Sequence, residues 1–273
     1  MVNDYEMTIS AHRELAPGIW RLELQGDFDY AGALPGTFVE VEMPDEAYQL
    51  RRPFAIADCD SKRQTLALIY RVVGAGTELM SQLHEGATLK LLGSLGNGFP
   101  FVDLVPGQRT LLVGGGTGIP PLLYLSKVLH ARGIQADIAV GFLNQESMFA
   151  TDELQQYGNL AITTNDGSVG IKGFVSAVLD NKWHDNHYDR IYACGPLGLL
   201  MSVQNRYPDA DNVYLSLESR MACGVGACEG CVVPDKQGKL SLRVCVEGPV
   251  FNSQEVQLSV WYKISCWITR FKT

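Results

Sequence analysis

Short runs in which apolar and polar residues alternate fill the first third of the chain, with turn signals between them. Residues 18–24, 37–43, 65–73 and 87–92 read as strands, and in the second of these Phe38, Val39, Val41 and Met43 mark a half-buried ribbon. The series predicts an antiparallel, closed β-barrel over residues 1–104. After Pro106 the pattern changes: a buried run at 110–113 enters a glycine turn, then an apolar helical stretch at 120–132, then a second buried run at 136–142. Strand, turn, helix, strand is a βαβ unit, and further strands at 160–164 and 190–194 extend it to a parallel-sheet α/β domain over 105–210. Past Tyr207 come a short strand at 212–218, a cysteine-rich loop, and apolar runs at 241–246 and 248–251. This third unit, 211–260, holds too few residues for a large core, so a bound group would supply cohesion. Residues 261–273 form a tail with no assigned role.

Composition narrows the function. With 46% apolar and 19% charged residues in 273, the chain suits packed domains rather than disorder. A net charge of −8 argues against a nucleic-acid partner, which needs clustered Lys and Arg. No apolar run approaches the roughly 18 residues of a membrane span, and the acidic start of the chain lacks the pattern of a signal peptide. A cytoplasmic protein is expected. There, seven cysteines, three of them within nine residues, point to metal binding rather than disulfides.

Cys223, Cys228 and Cys231 have the C-x4-C-x2-C spacing of [2Fe–2S] proteins, and Cys245 is near enough to be a fourth ligand. Gly224, Gly226 and Gly230 would let the backbone wrap closely around the sulfides. A structural zinc site also takes four cysteines but usually arranges them as two separated C-x2-C pairs. Cys59 and Cys266 fit no such spacing.

Gly114, Gly115, Gly116, Thr117 and Gly118 sit where a strand hands over to a helix, so a pyrophosphate could approach the helix start; a tight packing turn is the alternative. About eighty residues on, Cys194, Gly195 and Pro196 follow a strand and precede a helix. Together these resemble the nicotinamide domain of the ferredoxin reductase superfamily, in which the Cys-Gly-Pro segment lies near the position of hydride transfer. That likeness places Gly115, Gly116, Thr117, Gly118, Gly195 and Pro196 on NAD, with Cys194 as the catalytic candidate.

The barrel half carries a matching mark. Arg52, Pro53, Phe54 and Ala55 resemble the superfamily's flavin motif, which implies that Arg52 pairs with the FAD pyrophosphate. Ala55 stands where Ser is usual. Ile69, Tyr70 and Arg71 match the next flavin-contacting strand, and Gly76 and Thr77 match the turn that receives the diphosphate. A core role for Tyr70 and a solvated pair for Arg51 and Arg52 are the structural alternatives.

The order of flavin barrel, nicotinamide domain and C-terminal [2Fe–2S] loop, ending in Glu247, Gly248, Pro249, Val250 and Phe251, is similar to the electron-transfer subunits of class 1B dihydroorotate dehydrogenases over nearly the whole chain. The run from Thr164 through Asp166 and Gly170 to Lys172 and Gly173 also looks like that family's nicotinamide-domain loop. The resemblance implies a relay in pyrimidine (UMP) biosynthesis. An FMN-containing catalytic subunit, two copies assembled with two of this chain, oxidises dihydroorotate; electrons pass singly through the cluster to FAD, and hydride passes to exchangeable NAD⁺. Two other readings share much of this pattern. One is the small FAD and [2Fe–2S] subunit of a ferredoxin:NADP⁺ oxidoreductase, sulfide dehydrogenase or hydrogenase. The other is a non-catalytic redox sensor or zinc-stabilised binding module. Glu146 and Asp152, with no adjacent basic pair, favour NAD over NADP.

Overall fold

Six strands close the N-terminal half on itself: β1 (Asn3–Ala16), β2 (Ile19–Gln25), β3 (Phe38–Val41), β4 (Arg52–Asp60), β5 (Thr65–Arg71) and, after helix α1 (Ala75–Ser81), β6 (Thr88–Leu95). A computed structural model describes residues 2–45, 47–183 and 187–261. The barrel order is β1-β2-β5-β4-β3-β6, every pairing antiparallel, with β6 returning to β1. Closure leaves no free edge. Alternate residues such as Ile9, Leu22, Leu24, Val39, Leu66 and Leu68 fill the interior, as a period of two requires.

Strand β3 departs from the half-buried expectation, since all four of its residues are buried. Its outer face is covered by the cysteine loop: a Cβ on Gly224 would lie 2.9 Å from Cγ of Glu40 and 3.1 Å from Cδ1 of Leu95. Strand β1, fourteen residues long, was not among the runs read from the sequence.

The second sheet takes β7 (Arg109–Gly115), β8 (Gln135–Phe142), β9 (Asn159–Thr164), β10 (Ile171–Lys172), β11 (Arg190–Cys194) and β12 (Val213–Ser216), all parallel. Helices α2 (Ile119–Ala131), α3 (Thr151–Tyr157), α4 (Ser176–Asn181) and α5 (Leu197–Arg206) connect them. A small hairpin, β13 (Val232–Pro234) with β14 (Leu240–Arg243), precedes β15 (Val250–Asn252), which pairs antiparallel with β12. The order β10-β9-β8-β7-β11-β12-β15 reverses direction at β7 and β11. In open α/β sheets, ligands bind in the crevice beyond the strand ends at such a switch point.

The strand at 212–218, grouped by sequence with the cysteine unit, is hydrogen-bonded along β11 instead. The reason lies in packing. Val213 and Leu215 complete the apolar layer begun by Leu111, Val113 and Ala193, and Cys231, Val233, Val244 and Cys245 join that same layer, as do Phe38 and Leu95 of the barrel. The cysteine segment therefore pools its few apolar side chains with both neighbours, each fully buried Val or Leu contributing roughly 1.5–3 kcal/mol. Of the tail at 261–273, only Trp261 is within the described residues; Cys266 is outside them.

Helix α2 packs across β4 and fastens the halves together. Lys127 reaches Asp58 at 2.7 Å, the Tyr124 hydroxyl donates to the Ala33 carbonyl at 2.9 Å, and Arg21 pairs with Glu153 at 3.0 Å.

Candidate functional site

The flavin motif lies on β4, where Arg52 stands opposite Val41 and Ala55 opposite Phe38 of β3. Arg52 donates from Nη1 to the Leu50 carbonyl at 2.6 Å. Its Nε lies about one contact distance, 4.0 Å, from where a Cβ on Gly76 would be, and that Cβ would also meet Met43 Sδ at 2.9 Å. Glycine at 76 thus lets the first turn of α1 close down beside Arg52. The Thr77 hydroxyl holds the turn, accepting from the Val73 and Gly74 amides at 2.9 and 3.2 Å and donating to the Gly74 carbonyl at 2.9 Å.

Tyr70 differs from its neighbours on β5. Its ring is 2% exposed within the barrel core and meets the half-buried Phe54 edge-on, with centroids 5.7 Å apart. Its hydroxyl lies 2.9 Å from His12 Nε2, and His12 Nδ1 lies 2.8 Å from the Leu83 carbonyl. That carbonyl can only accept, so neutral His12 carries its proton on Nδ1 and Tyr70 donates to Nε2. Burial raises the Tyr70 hydroxyl far above its ordinary range. The structural alternative weighed for Tyr70 is the one its side chain adopts, while Ile69 and Arg71 take the opposite face of the strand.

At the switch point of the second sheet, the glycine turn and the Cys-Gly-Pro segment touch backbone to backbone. A Cβ on Gly118 would fall 2.2 Å from the Cys194 carbonyl oxygen, and one on Gly195 would fall 3.1 Å from the Gly115 carbonyl oxygen. Gly116 has φ +54° and forms a 3₁₀ turn with Thr117 and Gly118. This turn packs against β5, so the glycine turn faces the strand that carries Ile69 to Arg71. Pro196 precedes α5 and lies 3.4 Å from the position of a Cβ on Gly115. Cys194 sits between Gly114 and Ser216 in register. Burial pushes its thiol up to about 12, against the opposing hydrogen bond with Ser216, so the group stays neutral near pH 7. It is not an activated nucleophile.

The loop after β9 is clipped in place: the Gln145 amide donates to Ser168 Oγ at 2.9 Å, and Ser168 Oγ donates to Asp166 at 2.7 Å. Glu146 and Asp152 are exposed nearby along the chain, after β8.

The four cysteines of the loop come together as two pairs. Cys231 and Cys245 are buried with sulfurs 3.3 Å apart. The half-buried Cys223 lies within hydrogen-bonding reach of the exposed Cys228. Burial would raise the Cys223 thiol, but the Val225, Cys228 and Ala227 amides together with the Cys228 thiol bring it down to about 6. The Gly230 amide donates to Cys228 Sγ at 3.4 Å. Positive φ falls at Gly224, Gly226 and Glu229 rather than at Gly230, whose contribution is this amide. Among the described residues, no three His, Cys, Asp or Glu side chains converge where a single ion could be held. Two thiol pairs with amides directed at the sulfurs suit a two-iron group, held by two thiolates at each end, better than one zinc. Cys59 stands apart, with its Sγ 3.8 Å from the Tyr30 carbonyl.

Sequence reasoning missed Glu40. It is 1% exposed on the outer face of β3, neither carboxyl oxygen has a hydrogen-bond partner, and Gly224 presses on it. Burial lifts its carboxyl to about 7, although Arg51 and Arg52 pull it down; Cys223 adds to the rise. Its only sequence signal is a glutamate inside an apolar run. The cysteine loop thus covers β3, and the next strand carries the flavin motif, at an inter-strand spacing of about 4.8 Å.

Comparison with known proteins agrees with this geometry. Residues 218–257 match the family described as the iron-sulfur cluster binding domain of dihydroorotate dehydrogenase B. A dihydroorotate dehydrogenase B (NAD(+)) electron transfer subunit from Streptococcus pneumoniae is 44% identical over 260 residues, covering 94% of this chain and all of that one. The protein of the same name from Enterococcus faecalis is 42% identical, covering 92% and 97%. The chain belongs to the dihydroorotate dehydrogenase B electron-transfer subunit family. The fold of this family member is shared more widely. A solved NADH-dependent reduced ferredoxin-NADP oxidoreductase, studied for flavin-based electron bifurcation, superposes with TM-score 0.80 at 26% identity, covering 94% of this chain and 91% of that one. Ferredoxin-NADP+ reductase from Plasmodium falciparum, at TM-score 0.64 and 16% identity over 79% of this chain and 97% of that one, shares the fold alone.

Proposed function

We propose that this chain is the electron-transfer subunit of an NAD⁺-linked dihydroorotate dehydrogenase, with FAD on the barrel and a [2Fe–2S] cluster on Cys223, Cys228, Cys231 and Cys245. The observation that carries the reading is the juxtaposition on β3, whose outer face lies under the cysteine loop while β4 beside it bears Arg52 to Ala55. When bound, the cluster supplies one-electron transfer, the flavin exchanges electrons singly or in pairs, and nicotinamide accepts a pair as hydride.

The chain's own residues hold these groups in line. Arg52 presents a planar fork to the FAD diphosphate, and the turn at Gly76 and Thr77 closes beside it. Pro53, Phe54 and Ala55 form the strand that the ring system lies against, with Tyr70 bracing Phe54 from inside. Ile69 and Arg71 occupy the face toward the nucleotide turn. Gly115, Gly116, Thr117 and Gly118 admit the NAD pyrophosphate at the start of α2, while Gly195 and Pro196 line the crevice over the Cys194 backbone. The neutral, buried Cys194 thiol shapes the floor of that crevice. Exposed Glu146 and Asp152 would repel a 2′-phosphate, which favours NAD⁺.

The partner is a catalytic subunit that contains FMN and oxidises dihydroorotate, two copies joined to two of this chain in the cytoplasm, supplying orotate for pyrimidine synthesis. No helix among the described residues is long and apolar enough to cross a membrane. The 44% identity to dihydroorotate dehydrogenase B subunits, against 26% to the ferredoxin-NADP oxidoreductase, favours this partner over a ferredoxin-linked one. Purification of the chain followed by iron, sulfide and flavin analysis tests the cofactor assignment. Two irons, two sulfides and one FAD per chain are expected; zinc without iron or flavin would refute it.

A further inference from the structure

Arg243 ties together the two ends of the cysteine segment. Its Nε reaches both oxygens of Glu247 at 3.1 Å, Nη2 also binds Glu247, and its backbone amide donates to the same carboxylate at 2.7 Å. The remaining arm of the guanidinium, Nη1, donates to the Gly226 carbonyl at 3.2 Å. Gly226 belongs to the loop of Cys223 and Cys228, and its amide is directed toward the sulfur of Cys245 in the other pair. One residue therefore has its carbonyl on Arg243 and its N–H turned toward a candidate ligand, with only its own φ and ψ between the two groups. Glycine is required there: φ is +79°, and a Cβ would meet Val246 Cγ2 at 2.6 Å and Arg243 Nη1 at 3.1 Å.

The far end of the clamp is fixed to the flavin barrel. Asn97, just past β6, donates from Nδ2 to the carbonyls of Val246 and Glu247 at 3.0 and 3.1 Å, and its amide donates to the Gly248 carbonyl at 2.6 Å. Contacts thus run unbroken from barrel to Asn97, to Glu247, to Arg243, to Gly226 and to Cys245. Asn97 acts through the Val246, Glu247 and Gly248 backbone, whereas Arg243 acts through Gly226 and Glu247 and, by its charge, on Cys245.

Resting on the cofactor assignment made above, we propose that Arg243 is a positioning residue for electron transfer: by holding the Gly226 carbonyl it fixes the backbone of that residue so that the N–H of the preceding peptide points at Cys245, and Asn97 locks that arrangement to the barrel. An N–H directed at a ligating sulfur favours the reduced, more negative state of a cluster and so raises its potential. Loss of the clamp lets that N–H swing away. Lysine keeps the positive charge of Arg243 but lacks the fork that holds Glu247 and Gly226 at once.

The experiment is an EPR-monitored redox titration of the holoprotein, comparing the parent with Arg243→Lys and Arg243→Gln, with FAD content measured alongside. Both variants should retain FAD and show a midpoint potential below the parent's, the glutamine further below because charge is lost as well. The g-values of the reduced cluster should change in both. Release of the cluster from the lysine variant with FAD retained is the extreme form of the same result, since charge is preserved there. Potential and g-values equal to the parent's in Arg243→Lys overturn the proposal, because charge alone would then account for the residue. A parent without cluster would instead refute the cofactor assignment, so the two failures are distinguishable.

Discussion

Replacing Glu40 with glutamine should stabilise the protein, and do so only toward alkaline pH. The carboxyl is buried, both oxygens lack partners, and burial raises it from 4.5 to about 7. Because the native-state value lies above the unfolded one, the folded chain holds the extra proton between those limits. Stability therefore falls as pH rises through this window, and the cost is complete above about 7. A lift of this size, already net of the pull of Arg51 and Arg52, corresponds to ~3 kcal/mol, of which relaxation around the buried charge leaves about 2 kcal/mol for the stability measurement. Glutamine has nearly the same shape and does not titrate. Thermal unfolding of parent and Glu40→Gln holoproteins should thus coincide near pH 4.5 and diverge by about 4–8 °C at pH 8, the variant being higher. A cluster bound beside Cys223 adds negative charge, moving the window up without changing its sign. A variant that is less stable at pH 8, or a difference independent of pH, would refute the reasoning.

Three further substitutions separate the sites. Cys228→Ser should abolish the cluster's visible absorbance while NADH still reduces the flavin, because the cysteine loop and the nucleotide turn lie on different elements; equal loss of both would contradict this. Arg52→Ala should weaken FAD retention by about 1.5–3 kcal/mol, roughly 10- to 150-fold in dissociation constant, as read by flavin fluorescence after dialysis. Gly118→Ala puts a Cβ 2.2 Å from the Cys194 carbonyl oxygen, a backbone clash costing about 1–3 kcal/mol. NADH-dependent flavin reduction should fall at least ~10-fold while FAD and cluster contents stay at parent levels.

How far the sequence speaks depends on whether a feature is local. Spacing alone identified the cysteine loop, and the apolar runs at 110–113 and 136–142 gave the βαβ unit, because both are written in consecutive residues. Strand β1 escaped notice since charged and polar residues occupy most of it and its apolar positions near the barrel interior, Met7 and Ile9, are few. Periodicity assigns residues to a face but does not say what covers that face. Glu40 occupies the outer face of a strand and would ordinarily be solvated; the cysteine loop, nearly two hundred residues away in sequence, buries it. For Tyr70 the motif suggested a ligand contact, whereas its place in the β5 alternation turns the ring inward to His12. The clamp of Asn97, Glu247 and Arg243 likewise joins segments that no local pattern connects, and β12 joins the parallel sheet because Val213 and Leu215 complete a layer begun a hundred residues earlier.

The most direct test of the central claim is dihydroorotate-dependent NAD⁺ reduction by this chain purified together with the FMN-containing catalytic subunit proposed as its partner. Orotate and NADH should form in equal amounts, the activity should require both chains, and Cys228→Ser should abolish it while dihydroorotate still reduces the partner's flavin. A complex with full FAD and cluster that reduces no NAD⁺ from dihydroorotate would contradict the account.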